Sequence, residues 1–345
     1  MRRKLYLIAI VAVLALALVL AAGCGSKQST TSNATTPTQS AASMSAADIV
    51  KAAQAAGAKT TSGTIAADLS VTVKGDTAKL SATSAQLGAL LSKPITAHIE
   101  GSFQGKPTAA DMTMTLGAGG QNIPLAIKAT GGKGYIQYGK KWYVLPASAL
   151  KSMNTTATSA SDPTAELSKT LGIDVTTWNP TFTNMGTETV DGVDTYHIQL
   201  TADTTKAMAD ITKALASPKF WTQAGSAAGS ATGTSKAQIK MYEGLGKQLV
   251  AALQPKVTDF KVDMWIGTTD SLTHKASLTL AMTFGGTMAQ AGLQGLDITG
   301  SVTMSNFNAP VTVTAPSGAL PYKALQKALN GLSAGLLGGA AATGL

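Results

Sequence analysis

Between residues 64 and 304 the chain alternates apolar and polar side chains in segment after segment. Over 64–74, Ile65, Ala67, Leu69, Val71 and Val73 interleave with Thr64, Ala66, Asp68, Ser70 and Thr72. A period of two marks a strand buried on one face. The same pattern returns over 95–103, where Ile95, Ala97, Ile99, Gly101 and Phe103 share a face, and over 110–116, where Ala110, Met112, Met114 and Leu116 do. Residues 123–130 and 134–145 continue the series, the latter turning at Gly139 and Lys140. Asp191-Gly192 is a hairpin turn leading into 195–200. Three more one-faced strands follow: Phe260, Val262, Met264, Ile266; then Ala276, Leu278, Leu280, Met282, Phe284; then Leu296, Ile298, Gly300, Val302, Met304. Turns are expected at 268–271 and in the Gly-rich segment 285–295, and a last strand over 311–314. One-sided alternation throughout predicts an antiparallel sheet with one wet face.

Helical spacing breaks this series in a few places. Ser45 caps a helix that carries Asp48 in its first turn and stops near Gly57. Brief helices are expected over 84–91 and 163–171. Asp203 caps another with Met208, Ile211 and Leu215 on one side, and 235–253 sets Ile239, Tyr242, Leu245, Leu249 and Leu253 along one stripe. Amphipathic helices need an apolar surface, and the sheet face offers one. Residues 217–234, rich in Gly, Ala and Ser with Phe220 and Trp221 near the start, read as a mobile loop. The stretch 320–345 begins as a helix and frays in glycine.

The N-terminal region follows different rules. Arg2, Arg3 and Lys4 precede an uncharged apolar run, 5–22, and Ala21-Ala22-Gly23 precede Cys24. This is the layout of a secretory signal peptide. The small side chains before the cysteine resemble a bacterial lipobox, in which the cysteine is acylated and becomes the mature N-terminus. About 18 apolar residues also suffice to span a bilayer, so an uncleaved anchor is the competing reading. Cys24 is the only cysteine, which excludes disulfides and thiol catalysis in the folded region. Ten Ser or Thr occupy residues 26–43, a composition that cannot order itself and serves as a tether of roughly 20–60 Å.

Charge and chemistry narrow the function by exclusion. Without the three basic residues of the first 23, 24 Lys and Arg face 18 Asp and Glu, a net charge near +6. That suits an anionic envelope surface, and with no basic stripe interleaved with aromatics it does not suit a nucleic acid. His98, His197 and His274 lie in strand patterns and read as solvated strand-face residues, none with a second histidine at metal-ligand spacing. No nucleophile elbow, calcium loop or phosphate loop occurs, and no carboxylate pair stands out. No catalytic residue, metal or cofactor is expected. What stands out is a wide apolar sheet face rich in methionine. An ordinary core would explain it, and so would a lining for irregular apolar guests, to which thioethers adapt.

Several stretches together resemble the LppX/LprAFG-type lipoproteins of actinobacteria and, more distantly, the LolA/LolB lipoprotein carriers. They are the lipobox ending at Cys24, the polar tether, the helix before Thr61-Ser-Gly-Thr-Ile65, the hairpin Tyr135-Ile-Gln-Tyr-Gly-Lys-Lys-Trp-Tyr143, Met264-Trp-Ile266, and Asn306-Phe-Asn-Ala-Pro-Val311. The resemblance implies an α+β fold, a strongly curved antiparallel half-barrel with α-helices on its concave face and a hydrophobic cavity between. It divides the chain into a signal peptide (1–23), acylated Cys24 with its tether (24–44), a lipid-binding domain (45–316) and a C-terminal helix and tail (317–345). It further implies a non-enzymatic monomer, anchored through Cys24 to the outer face of the cytoplasmic membrane, that binds acyl chains of lipids or lipoglycans. The lining would then be Ile99, Phe103, Met112, Met114, Leu116, Met264, Leu278, Leu280, Met282, Val302 and Met304, with Phe220 and Trp221 as lid or membrane contact. The alternative is a cell-surface structural or interaction lipoprotein without a ligand cavity.

Overall fold

The computed structural model describes residues 44–76, 78–80, 92–147, 175–215, 217 and 251–326. Eleven antiparallel strands form one open sheet. They are β1 (Ser62–Gly75), β2 (Ile95–Gln104), β3 (Ala109–Ala118), β4 (Gln121–Thr130), β5 (Lys133–Tyr138), β6 (Lys141–Val144), β7 (Thr181–Val190), β8 (Val193–Thr201), β9 (Lys256–Gly267), β10 (Thr273–Thr283) and β11 (Leu293–Ser305). Their order is β6-β5-β4-β3-β2-β1-β11-β10-β9-β8-β7. Two meanders, β1–β6 and β7–β11, are therefore joined at the centre by the first and last strands. The sheet does not close on itself, in keeping with the expected half-barrel.

Local chemistry fixes the turns. Gly131 and Gly132 (φ 56° and 71°) reverse the chain between β4 and β5, and Asp191 and Gly192 (φ 49° and 82°) do so between β7 and β8. Two successive left-handed residues match the twist of a tight hairpin. At the centre, Ala67 lies opposite Val302 on one side and Ile99 on the other, so one register places Ile65, Ala67, Leu69, Val71 and Val73 opposite apolar residues or glycine. A slip of one residue would turn that whole set toward water.

Helix α1 (Ala46–Gly57) starts at Ser45, whose hydroxyl accepts from the Asp48 amide at 3.2 Å and donates to the Asp48 carboxylate at 2.6 Å. Helix α2 (Thr204–Leu215) is capped by Asp203, which accepts from the Thr205 and Lys206 amides. Ile49, Val50 and Ala53 of α1 and Ala207 and Ala214 of α2 join one buried cluster with the apolar side chains of β1 and β8–β11. Trp178, in a 3-10 turn at Val175–Trp178, stands edge-on to Phe260 and donates its indole N–H to Asp210 of α2 at 2.9 Å.

Three expectations are corrected. Residues 311–314 form no strand: Asn306 and Asn308 adopt left-handed φ and Pro310 lacks an N–H, so the chain crosses beside β1 and β2 instead. There the Asn308 side chain accepts from the Thr61 amide, Ser62 donates to Ala309, and the Val311 amide donates to Gln104. The segment 285–295 holds a short helix, α3 (Gly286–Gln290), before β11 begins. The edge strand β7 arises where the sequence showed no alternation. Beyond residue 316, Leu320 exchanges backbone hydrogen bonds with Trp142 and Val144 and covers the outer edge of β6. The helices expected over 84–91 and 163–171, and residues 235–250 of the third, lie outside the described residues.

Candidate functional site

One face of the sheet is apolar from β9 and β10 across to β6, and register connects it strand by strand. Starting at Leu278, the row passes through Gly300 and Leu69 to Ala97 and Leu116, and ends at Ile123. The next row passes from Met264 through Ala276, Val302, Ala67 and Ile99 to Met114, Leu125 and Tyr138. A third joins Met112, Ile127, Ile136 and Tyr143.

Burial divides this face into two zones. Across β1 and β8–β11 it is closed, in one buried cluster with α1, α2 and Trp178: Met264, Leu278 and Val302 are each 1% exposed and Ile298 is fully enclosed. Across β2–β5 the same kind of side chain is open. Ile99, Met112, Met114, Leu125, Ile127 and Ile136 are half-buried, and Leu116 and Ile123 are 37% and 40% exposed.

The eleven lining residues expected from the sequence fall on both sides of this division. Met264, Leu278, Leu280, Met282 and Val302 belong to the buried cluster. Met304 is half-buried against it, as is Ile99, at the boundary. Phe103, Met112, Met114 and Leu116 lie in the open zone. Cys24, Phe220 and Trp221 lie outside the described residues. Register adds Ile123, Leu125, Ile127 and Ile136, whose alternation was visible but interrupted by Pro124, a residue unsuited to the interior of a sheet.

The opposite face carries the titratable groups. Cross-strand partners Asp68 and His98 meet at 2.7 Å, and Glu100 stands 3.7 Å from the other ring nitrogen. The hydrogen bond to Asp68 raises the His98 pKa above its usual value. His98 is solvated, as expected.

His197 departs from that expectation. Its Nδ1 lies 2.8 Å from Glu188 and its Nε2 3.0 Å from Asp263, while the ring stacks on Trp265 at 4.6 Å. Trp265 donates to Glu188 at 2.8 Å, Gln199 donates to Asp263 at 2.9 Å, and the Lys275 amine sits 4.5 Å above the indole. These contacts tie β7, β8, β9 and β10 together on the wet side. Glu188 is held below the usual carboxylate range by the Trp265 and His197 bonds. Burial pushes the Asp263 carboxyl up, but the bonds from Gln199 and His197 outweigh it and its pKa falls. His274 is enclosed too, bonded to Asp270 at 2.9 Å and set edge-on to Phe307.

Two shallow depressions mark this face. One, about 370 Å³, is bordered by Asp68, Ser70, Thr96, His98, Thr299 and Ser301. The other, about 500 Å³, lies between Thr64, Ser102 and Asp111 and the crossing segment 309–312. Among the described residues no group of three or more His, Cys, Asp or Glu is placed to hold a metal. The apolar face is the larger and more unusual feature.

No protein-family model matches the chain, and no curated protein does. Among solved structures it is similar to the lipoprotein LppX of Mycobacterium tuberculosis, at 13% identity and a TM-score of 0.36, over 78% of this chain and 98% of that one. It is similar to LprF of Mycobacterium bovis at 17% identity and a TM-score of 0.33, over 79% and 97%. A DUF1329 family protein from Desulfovibrio piger follows at 9% identity and a TM-score of 0.20, over 77% and 92%. LppX and LprF are of the group the sequence resembles. At these scores the functional reading rests on the chain's own residues.

Proposed function

We propose that this chain is a membrane-anchored lipoprotein of the cell envelope that binds acyl chains of lipids or lipoglycans on its apolar sheet face and carries or presents them. The observation that carries the reading is the open zone: an aliphatic and methionine surface across β2–β5 that the neighbouring core does not fill. Methionine at 112 and 114 supplies unbranched, polarizable contacts for flexible chains. Each buried methylene of a guest gains about 0.8 kcal/mol, so roughly ten methylenes of an acyl chain suffice for useful affinity. Ile99, Phe103, Met112, Met114 and Leu116 would contact the ligand, with Met304 at the boundary. Met264, Leu278, Leu280, Met282 and Val302, on the same face but in the buried cluster, would close the inner end of the lining. Phe220 and Trp221 are proposed as lid or membrane contact. The apolar run 5–22 and the small residues before Cys24 support export and acylation at Cys24, which fixes the domain to the outer face of the cytoplasmic membrane. No catalytic group, cofactor or nucleic acid has a part in this reading, and the chain acts as a monomer.

One observation favours a second reading, a structural or interaction lipoprotein: β1 and β8–β11 are packed shut, as in an ordinary core. Native mass spectrometry separates the two. A Cys24→Ala chain, still exported, should carry lipid adducts, and Met112→Asp with Met114→Asp should remove them while the circular dichroism of the fold is kept. A bare chain that takes up no lipid on reconstitution overturns the carrier reading.

A further inference from the structure

At one end of the open zone the sheet has a rim with its own character. There β1 ends and β2 begins, β3 turns into β4 through Gly119 and Gly120, and β5 turns into β6 through Gly139 and Lys140. Leu116 and Ile123 are cross-strand partners near this turn. They are two of the four large apolar side chains most exposed among the described residues. Three lysines flank them. The Lys93 amine lies against Gly120, where a β-carbon would come within 2.7 Å of it. Lys140 and Lys141 stand exposed at the neighbouring turn, and Lys141 pairs with Tyr138, itself opposite Leu125. Residues 92–96, 115–124 and 137–142 contain no Asp or Glu. At the other end of the sheet the β7–β8 and β9–β10 turns carry Asp191 and Asp270, and the β2–β3 and β4–β5 turns have Lys106 and Lys133 but, among the described residues, no exposed large apolar side chain beside them.

We infer that this rim is a membrane contact: Leu116 and Ile123 enter the headgroup region of an anionic bilayer while Lys93, Lys140 and Lys141 hold its phosphates. The chemistry favours a bilayer over a protein partner. Lysine stems can lie along apolar surface while their amines reach the headgroups, and amines near an anionic surface each add about fivefold to binding. An aliphatic pair flanked by cations, with the nearest acidic residue of the rim, Asp76 after β1, turned into hydrogen bonds with the Ala78 and Lys79 amides, matches a negative, deformable surface. By chain length alone the 18 residues 26–43 could span up to about 60 Å, enough for the rim to meet a membrane that holds the N-terminal region. The contact does not require that the sheet face hold a lipid.

The test uses the full chain with Cys24→Ser, kept on vesicles by residues 5–22, and a single environment-sensitive thiol probe at Ile123→Cys or, as control, Asp191→Cys. In vesicles with phosphatidylglycerol the probe at 123 should shift to the blue and be quenched by brominated acyl chains, and the probe at 191 should do neither. Phosphatidylcholine alone, or Lys93→Gln with Lys140→Gln and Lys141→Gln, should lower the inserted fraction on the order of a hundredfold. Equal behaviour at 123 and 191 overturns the inference. So does a blue shift that grows with protein concentration without vesicles, which would mark a contact between copies of the chain. Repeated in the Met112→Asp with Met114→Asp chain, whose sheet face should carry no lipid adducts, the blue shift at 123 should persist; its loss there would assign the signal to lipid on the sheet face and overturn the inference, so the two readings fail separately.

Discussion

Two histidines on the wet face illustrate how single contacts set local electrostatics. The His98 pKa is raised by the hydrogen bond to Asp68. A raised folded value means this pair adds stability that is complete below the unfolded histidine pKa of about 6.5 and is lost as pH rises through the folded value. The side chain is 43% exposed, so solvent keeps the contribution small and titration is the sensitive measurement. Proton NMR should show His98 titrating above the free histidine value, and Asp68→Asn should bring it down; an unchanged midpoint would discard Asp68 as the cause. Asp263 carries the opposite sign. Its lowered pKa adds stability above about pH 3.8, which is lost as pH falls further. Asp263→Ala leaves His197 Nε2 and the Gln199 amide without their partner and should cost about 1–3 kcal/mol near neutral pH, read by urea unfolding. It should also flatten the acid limb of the stability profile.

At the scale of elements, the division of the apolar face predicts unequal costs for the same substitution. Met264→Ala, in the cluster under α1 and α2, should lose about 2–5 kcal/mol. Met114→Ala, half-buried in the open zone, should lose no more than about 1 kcal/mol. Equal losses in chemical denaturation would mean that the two zones are packed alike. Alternation made most strands legible, because the wet face needs polar residues and the dry face apolar ones at every second position. It failed at β7, Thr-Phe-Thr-Asn-Met-Gly-Thr-Glu-Thr-Val. An edge strand with exposed residues on both faces has no burial pattern to read, and a bulge at Met185 interrupts its register. It failed again at 311–314, where asparagine backbone geometry overrode β-propensity. The enclosed His197 was invisible for another reason: Glu188, Trp265 and Asp263 come from other strands, and only register brings them together. For the same reason the strand pattern marked the whole apolar face but not which half of it α1 and α2 would cover.

Across the whole molecule, the first and last strands of the sheet pair at its centre. Thr61 and Asn308, 247 positions apart in sequence, share a hydrogen bond of 2.9 Å. That closure sits beside the buried cluster, whereas β3–β6 extend beyond it as a hairpin series supported, among the described residues, mainly by neighbouring strands. Stability should follow this geometry, since the cheapest local openings involve segments with few buried apolar contacts. Hydrogen exchange should therefore be slowest in 260–266, 276–282 and 296–302 and faster by an order of magnitude or more in 112–117 and 123–128. A ligand on the open zone has its best lever there, because stabilisation by binding is felt most where the free protein opens most readily. Protein loaded with a long-chain lipid should show added protection in 112–128 and little change in 260–266. Uniform protection in the free protein would remove the distinction between zones. Added protection confined to the buried cluster would place the ligand somewhere other than on the open face.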